Sequence, residues 1–499
     1  MRKTFALLLI LVLGASSIVA FLPVKAEGRK IVVPYNYPTI TDAIGNATHG
    51  DTIFVKNGTY EEHSLVINKT LTLIGEDINN TIIKNIDEHA LVEWLGNGLF
   101  PIGNTIAIQI NADNVKVSGF TIINSTTGIT SVGNGTQIVG NVIKGLDNIG
   151  GFVSTTAIVI EGDKTQVFSN IIEEAGTGIS ASGSYQTIAQ NTIQGGRNCI
   201  YSSGKYNTIV SNIISDAYSG ISVSSNSNVV HNNTVTGQTE GIEIIGSGNI
   251  VLGNNASYNR VIGINIQPHW DKSSDYKGDN IICKNWIMSN RDGLAINSGQ
   301  NNTVYANYVS GNQIGIRVIW DQSGYAFEGG KKYFEPDRNL WQTSYNNTFF
   351  KNNFVGNGQG AADWSWQGTN KWDNGGEGNY WSDYGGAAAD SDGIGDTFYA
   401  VNKPYRIYDS FGGSDSRLYY PNMVNTNEVF DHYPLMSPFD TDSIRIELPE
   451  WANVSEVELP DFDLAEPEPF PTELALVASG ASVAIVAVGL LVYFKKRKH

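Results

Sequence analysis

The chain has 499 residues, 41% of them hydrophobic and 16% charged, with a formal net charge of −17 and only two cysteines. There is apolar material for a long core, but too few cysteines for a disulfide-built scaffold. The acidic balance comes with no basic patch, which excludes a nucleic-acid binder.

Arg2 and Lys3, the apolar run from Phe5 to Val12 and a small-residue site ending at Ala26 read as a secretory signal peptide over residues 1–26. Pro38 to Ile44 then predicts a short amphipathic helix closing the open end of a solenoid, because a bare sheet edge invites aggregation.

Residues 27–354 carry that solenoid. Gly178-Ile179, Cys199-Ile200, Gly220-Ile221, Gly241-Ile242 and Gly263-Ile264 recur at 21, 21, 21 and 22 residues. Asn170, Asn191, Asn212, Asn233 and Asn254 keep the same period, as do Asn207, Asn228 and Asn249. Within each repeat, apolar and polar residues alternate over three or four positions, and nothing has helical spacing. The class is all-β: a right-handed, single-stranded parallel β-helix of about eleven coils, stacked roughly 4.8 Å apart. Glycine and asparagine suit left-handed corners, and stacked asparagine amides can bond from coil to coil, so both series are explained by the scaffold. Cys199 and Cys283 lie about four coils apart, roughly 19 Å along the axis, which is too far for a disulfide.

Function is expected where the period breaks. Residues 86–104 and 145–156 are inserted at one corner, and 267–279 and about 320–345 at another. The second pair should rise as neighbouring walls with a groove between them for an extended polymer. In that region His269 falls in register with Asp321, and Asn265 with Arg317 and Glu243. With Asp271, this set could abstract a proton beside a uronic acid carboxylate, His269 serving as base and Arg317 neutralising the acid. Pro268-His269 resembles part of the Asp-Pro-His-Asp motif of β-helical alginate C5-epimerases, with Gln267 in place of the first Asp and Trp270 inserted before Asp271. Trp270, Trp320, Trp364 and Trp366 are the candidate sugar-stacking residues, although burial is the ordinary fate of tryptophans that close a solenoid.

Residues 355–439 form a glycine-rich, aromatic C-terminal cap. Asp390, Asp392 and Asp396 fall at positions 3, 5 and 9 of a Ca²⁺ loop with Gly393 at its turn. Ala388 and Tyr399 stand where the first ligand and the bidentate glutamate belong, and Asp383 could complete the shell if the chain folds back. An Asp-Gly turn that merely caps the solenoid accounts for the same residues.

Residues 440–473 hold eleven acidic residues against Arg445, with five prolines, and read as an extended stalk. Leu474 to Phe494 is 21 residues without a charge, followed by the basic tail 495–499: a transmembrane helix that leaves the solenoid outside the cell. Eleven Asn-X-Ser/Thr triplets, among them Asn57, Asn124 and Asn134, would suit a glycosylated surface protein.

Gly378-Asn-Tyr-Trp-Ser-Asp-Tyr384, Asp390-Ser-Asp-Gly-Ile-Gly-Asp396 and Asp431-His-Tyr-Pro-Leu435 together resemble the C-terminal end of NosD-like, carbohydrate-binding and sugar-hydrolase β-helix proteins, common on archaeal surfaces. The resemblance covers roughly residues 30 to 439. It implies the β-helix and, through the NosD name, copper; but copper sites group His, Met or Cys, which are scattered here, with only His432 and Met436 sharing a segment. The expectation is a surface-anchored adhesive or structural protein that binds polysaccharide or a neighbouring surface glycoprotein. The alternatives are a uronate epimerase, lyase or glycosidase, and a NosD-like copper binder.

Overall fold

In the computed structural model the described residues are 28–87, 90–93, 99–102, 104–146, 154–267, 278–319, 325–328, 331–334, 344–365, 369–402 and 429–452. They divide into two units, one ending at Glu447 and one beginning at Leu448. The second contributes only five described residues, including a 3-10 turn at Glu450–Ala452.

In the first unit the chain winds through three long parallel sheets of 13, 13 and 12 strands, where the repeat suggests about eleven coils. One coil shows the rule. Gln166–Phe168 lies in the first sheet, Ile171–Glu173 in the second and Thr177–Ala181 in the third. Each pairs with its counterpart one turn on: Thr187–Ala189, Thr192–Gln194 and Asn198–Ser202. The core is the column of inward residues from these strands, such as Val167, Ile172 and Ile179, all at most 1% exposed. Gly178 is small because the next coil's backbone presses on it: a Cβ there would lie 2.4 Å from the Cys199 carbonyl oxygen.

The helix Ile40–Asn46 starts on Thr39, whose hydroxyl accepts from the Asp42 amide, and buries Ile40, Ala43 and Ile44 in the same core. Cys199 and Cys283 are buried, unlinked and in different sheets.

The corners are held by side-chain amides. Between the first and second sheets, each Asn Nδ2 donates to the next coil's Asn Oδ1, as in Asn212 to Asn233 and Asn233 to Asn254, both at 2.9 Å. A second column, Asn228 to Asn249 to Asn280 and onward, holds the corner between the third and first sheets. A third, Gln238, Asn259, Asn290, Asn312 and Asn357, holds the remaining corner.

The insertions fall at the two corners expected. A hairpin of Ala90–Glu93 with Leu99–Ile102 separates a second-sheet strand from a third-sheet strand, and a hairpin of Tyr325–Glu328 with Lys331–Phe334 separates the third sheet from the first. The segment around 474–494 lies outside the described residues, among which no helix is long and apolar enough to cross a membrane.

Candidate functional site

Two outer faces come into question. The first is the outer side of the third sheet. Glu243, Asn265, Ala295 and Arg317 stand in one register row across four coils, as the repeat count expects. The arginine is not presented to solvent there. It is 7% exposed, and its Nη2 lies 3.0 Å from the buried Asp292 carboxylate, which Arg291 also reaches at 3.2 Å. Glu243 accepts from Ser222 Oγ at 2.8 Å and from Gln267 Nε2, and Asn297 Nδ2 donates to Asn265 Oδ1 at 2.6 Å. Burial, and then the charge of Glu243, raises the Glu240 carboxyl above its ordinary value. This is an interlocked polar layer in which Arg291 and Arg317 neutralise Asp292, and Glu243 is held by neutral donors. His269, Trp270, Asp271, Trp320 and Asp321 lie outside the described residues.

The second face is a groove of about 800 Å³ along the corner between the second and third sheets. Its lining includes Lys84, Lys144, Glu173, Gln194 and Asp216, and it crosses successive coils: Ile123 pairs with Lys84, Gln194 with Glu173, and Ser215 with Gln194. At this corner one residue per coil takes a left-handed backbone: Gly145, Glu174, Gly195, Asp216, Gly237 and Tyr258. Where that residue is glycine the groove floor is bare peptide, and nothing lies within 4 Å of a Cβ built at Gly145. Gln194 Nε2 donates to Asp216 Oδ2 at 3.2 Å. The groove expected from the sequence, between the insertions 267–279 and about 320–345, falls largely on residues outside the described ones; the groove seen here depends on which side chains are missing from a corner, and insertion length does not report that.

The C-terminal aromatics are mostly core. Trp372 stacks on Phe349, and Trp381 lies between Phe354 and Tyr399, all at 4.2 Å. Trp364 is partly buried, with its amide donating to the Val318 carbonyl at 2.8 Å, and Trp366 lies outside the described residues.

The aspartate loop is tied to itself. Asp390 Oδ1 accepts from the Asp392 amide, Asp392 Oδ1 from the Ile394 amide and Asp396 Oδ2 from the Ala389 amide. Asp383 turns elsewhere and accepts from the Tyr399 hydroxyl at 2.9 Å; burial and then this carboxylate push the Tyr399 phenol far above its usual range. Among the described residues no three His, Cys, Asp or Glu are grouped to share a metal.

The described histidines are equally dispersed. His49 accepts from the Thr70 amide, His63 pairs with Asp87 at 2.8 Å and His432 with Asp373 at 2.9 Å, while burial pushes His231 down to about 4.

Residues 44–260 and 204–386 match the family model described as periplasmic copper-binding protein (NosD). No curated protein matches the chain. Among solved structures it is similar to a mannuronic acid specific polysaccharide family 6 lyase from human gut microbiota, at 13% identity over 69% of this chain and 82% of that one, TM-score 0.47. It is also similar to the A-module of the Azotobacter vinelandii mannuronan C-5 epimerase AlgE6, at 14% identity over 66% and 91%, TM-score 0.34. A third is the catalytic unit of a GH87 α-1,3-glucanase from Streptomyces thermodiastaticus, at 14% identity over 68% and 64%, TM-score 0.47. Likenesses of this size carry no activity across. Copper wants His, Met or Cys brought together, and the described residues, which disperse them, do not fit such a centre. The family match runs over well more than half of the sequence, through the stacked coils and into the aromatic C-terminal region, and the chain belongs to the NosD family of parallel β-helix proteins.

Proposed function

We propose that this protein is a binding scaffold that holds an extended polysaccharide, free or carried on a surface glycoprotein, along the flank of its β-helix, and that it works from the outer face of the cell membrane. The observation that supports the reading is the groove at the corner between the second and third sheets. It runs along the solenoid axis, so a polymer lying in it meets a new set of side chains every coil, roughly 4.8 Å on. Its carboxylates, amides and lysines are the hydrogen-bonding groups that sugar hydroxyls need. Among the described residues the other face supports no rival reading, because Arg317 is already neutralised by Asp292. Placement at the membrane rests on the leader over 1–26 and the apolar run 474–494.

The test is retention of the protein on a panel of immobilised polysaccharides, with polymer size and unsaturation followed in parallel. Retention without change in the polymer is expected, lost when Gln194→Trp fills the groove. No retention on any polymer, or chain cleavage, would overturn the reading.

A further inference from the structure

We infer that the chain held in the corner groove carries no carboxylates: it is a neutral or amino-sugar polymer, laid over bare backbone at Gly195 and stacked at its far end on Tyr258. This rests on the polysaccharide-binding reading above and narrows it to a ligand class.

Charge is the first argument. Of the two lysines in the lining, Lys84 is engaged by Glu61 at 2.7 Å and stands at one end. The coils beyond Lys144 present Glu173, Glu174 and Asp216 on the same corner, all exposed. A polyuronate crossing these coils would set its own carboxylates against three of the protein's, and like charges facing each other across an interface are rejected. The whole chain, at −17, repels polyanions further.

Hydrogen-bonding chemistry points the same way. An ionised carboxylate only accepts, and its complement is a donor: a sugar hydroxyl or an ammonium. Gln194 adds an amide donor and acceptor beside Asp216.

Stacking closes the argument. The second-sheet row continues from Ser215 to Thr236 to Ser257, so Tyr258 stands two coils beyond Asp216, roughly 10 Å along the axis. It is 64% exposed at the same left-handed position that Gly195 and Gly237 hold in coils above it. An exposed ring at the end of a polar track is the anchor that sugar faces use, through their apolar C–H surface. Tyr218, 56% exposed, stands two residues beyond Asp216.

Retention of the full chain would be compared on β-1,4-glucan, on deacetylated chitin and on polymannuronate, at low and physiological salt. Retention on one of the first two should exceed that on polymannuronate at least tenfold; a fall with salt identifies the amino-sugar polymer. Tyr258→Asn, which suits the left-handed backbone, should weaken it by about three- to tenfold. Glu173→Gln with Glu174→Gln should raise retention on polymannuronate. If polymannuronate is preferred and Gln194→Trp abolishes it, the inference on ligand class fails while the groove stands. If Tyr258→Asn changes nothing, the stacking end fails. If none of the three polymers is retained, the polysaccharide reading itself fails.

Discussion

The indole Nε1 of Trp381 donates to Asp431 Oδ2 at 2.8 Å, and that carboxylate is where the first asparagine ladder ends. Asn352 donates to Asn379 at 2.9 Å, and Asn379 presents both its backbone amide, at 2.7 Å, and its Nδ2 to the same oxygen. The second ladder ends the same way: Asn347 donates to Asn370, Asn370 Nδ2 reaches both oxygens of Asp363, and Trp372 Nε1 donates to Asp363 at 3.1 Å. Each rung passes its donor forward and takes one from behind, so the last amide has donors left and no further rung. A carboxylate supplies acceptors alone, and a tryptophan covers it while adding one more donor.

Removing either terminator should therefore cost more than removing an ordinary hydrogen bond. Asp431→Ala leaves the Asn379 backbone amide and the Trp381 indole without an acceptor, and Asp363→Ala does the same to the Ser365 amide and the Trp372 indole. Each variant is expected to lose about 3 kcal/mol in chemical denaturation.

Asp431 also gives stability a pH dependence. Burial pushes its carboxyl up to about 6, against hydrogen bonds from Trp381, Asn379 and Tyr433 that favour the ionised form. In the unfolded chain it titrates near ~3.9. Between these values the folded protein keeps a proton that the unfolded chain has released, so this group's contribution falls as pH rises from about 4 to about 6. Thermal unfolding of Asp431→Asn should lack that slope while keeping the acid-side loss from Asp51, which Arg29 holds far below the carboxylate range. A parallel slope in both proteins would contradict the assignment.

Both thiols should be silent in the native state. Burial pushes Cys199 and Cys283 up to about 12, which leaves almost no thiolate at neutral pH. A thiol reagent should label neither until denaturant is added, and then both.

Arg317 separates a structural layer from a catalytic one. Its pair with Asp292 is buried on both sides, so Arg317→Ala leaves a buried carboxylate with Arg291 alone and should cost about 3 kcal/mol. Arg317→Lys should recover part of this. Polysaccharide retention by the folded variant should be unchanged.

The period made the coils legible, because stacking forces Gly178, Ile179 and Asn170 to recur at one interval. The column Gln238, Asn259, Asn290, Asn312 and Asn357 is of the same kind, yet its spacings of 21, 31, 22 and 45 hide it, since the insertions sit between its rungs. Asp363 ends a ladder from a single position, and a residue used once leaves no period. Register placed Arg317 in one row with Asn265 and Glu243, two and three coils away, but register does not report burial, so the pairing with Asp292 was out of reach. The groove was illegible for a related reason: its bare floor comes from two glycines, Gly145 and Gly195, that hold the same corner position without sharing the 21-residue interval.

The most direct test of the central claim is a crystal structure of the protein with a bound oligosaccharide taken from the polymer it retains best. The sugar chain should lie along the corner from Lys144 past Gln194 and Asp216, parallel to the solenoid axis, with a ring against Tyr258. A chain found over Arg317 on the third sheet, or against Trp364, would contradict it.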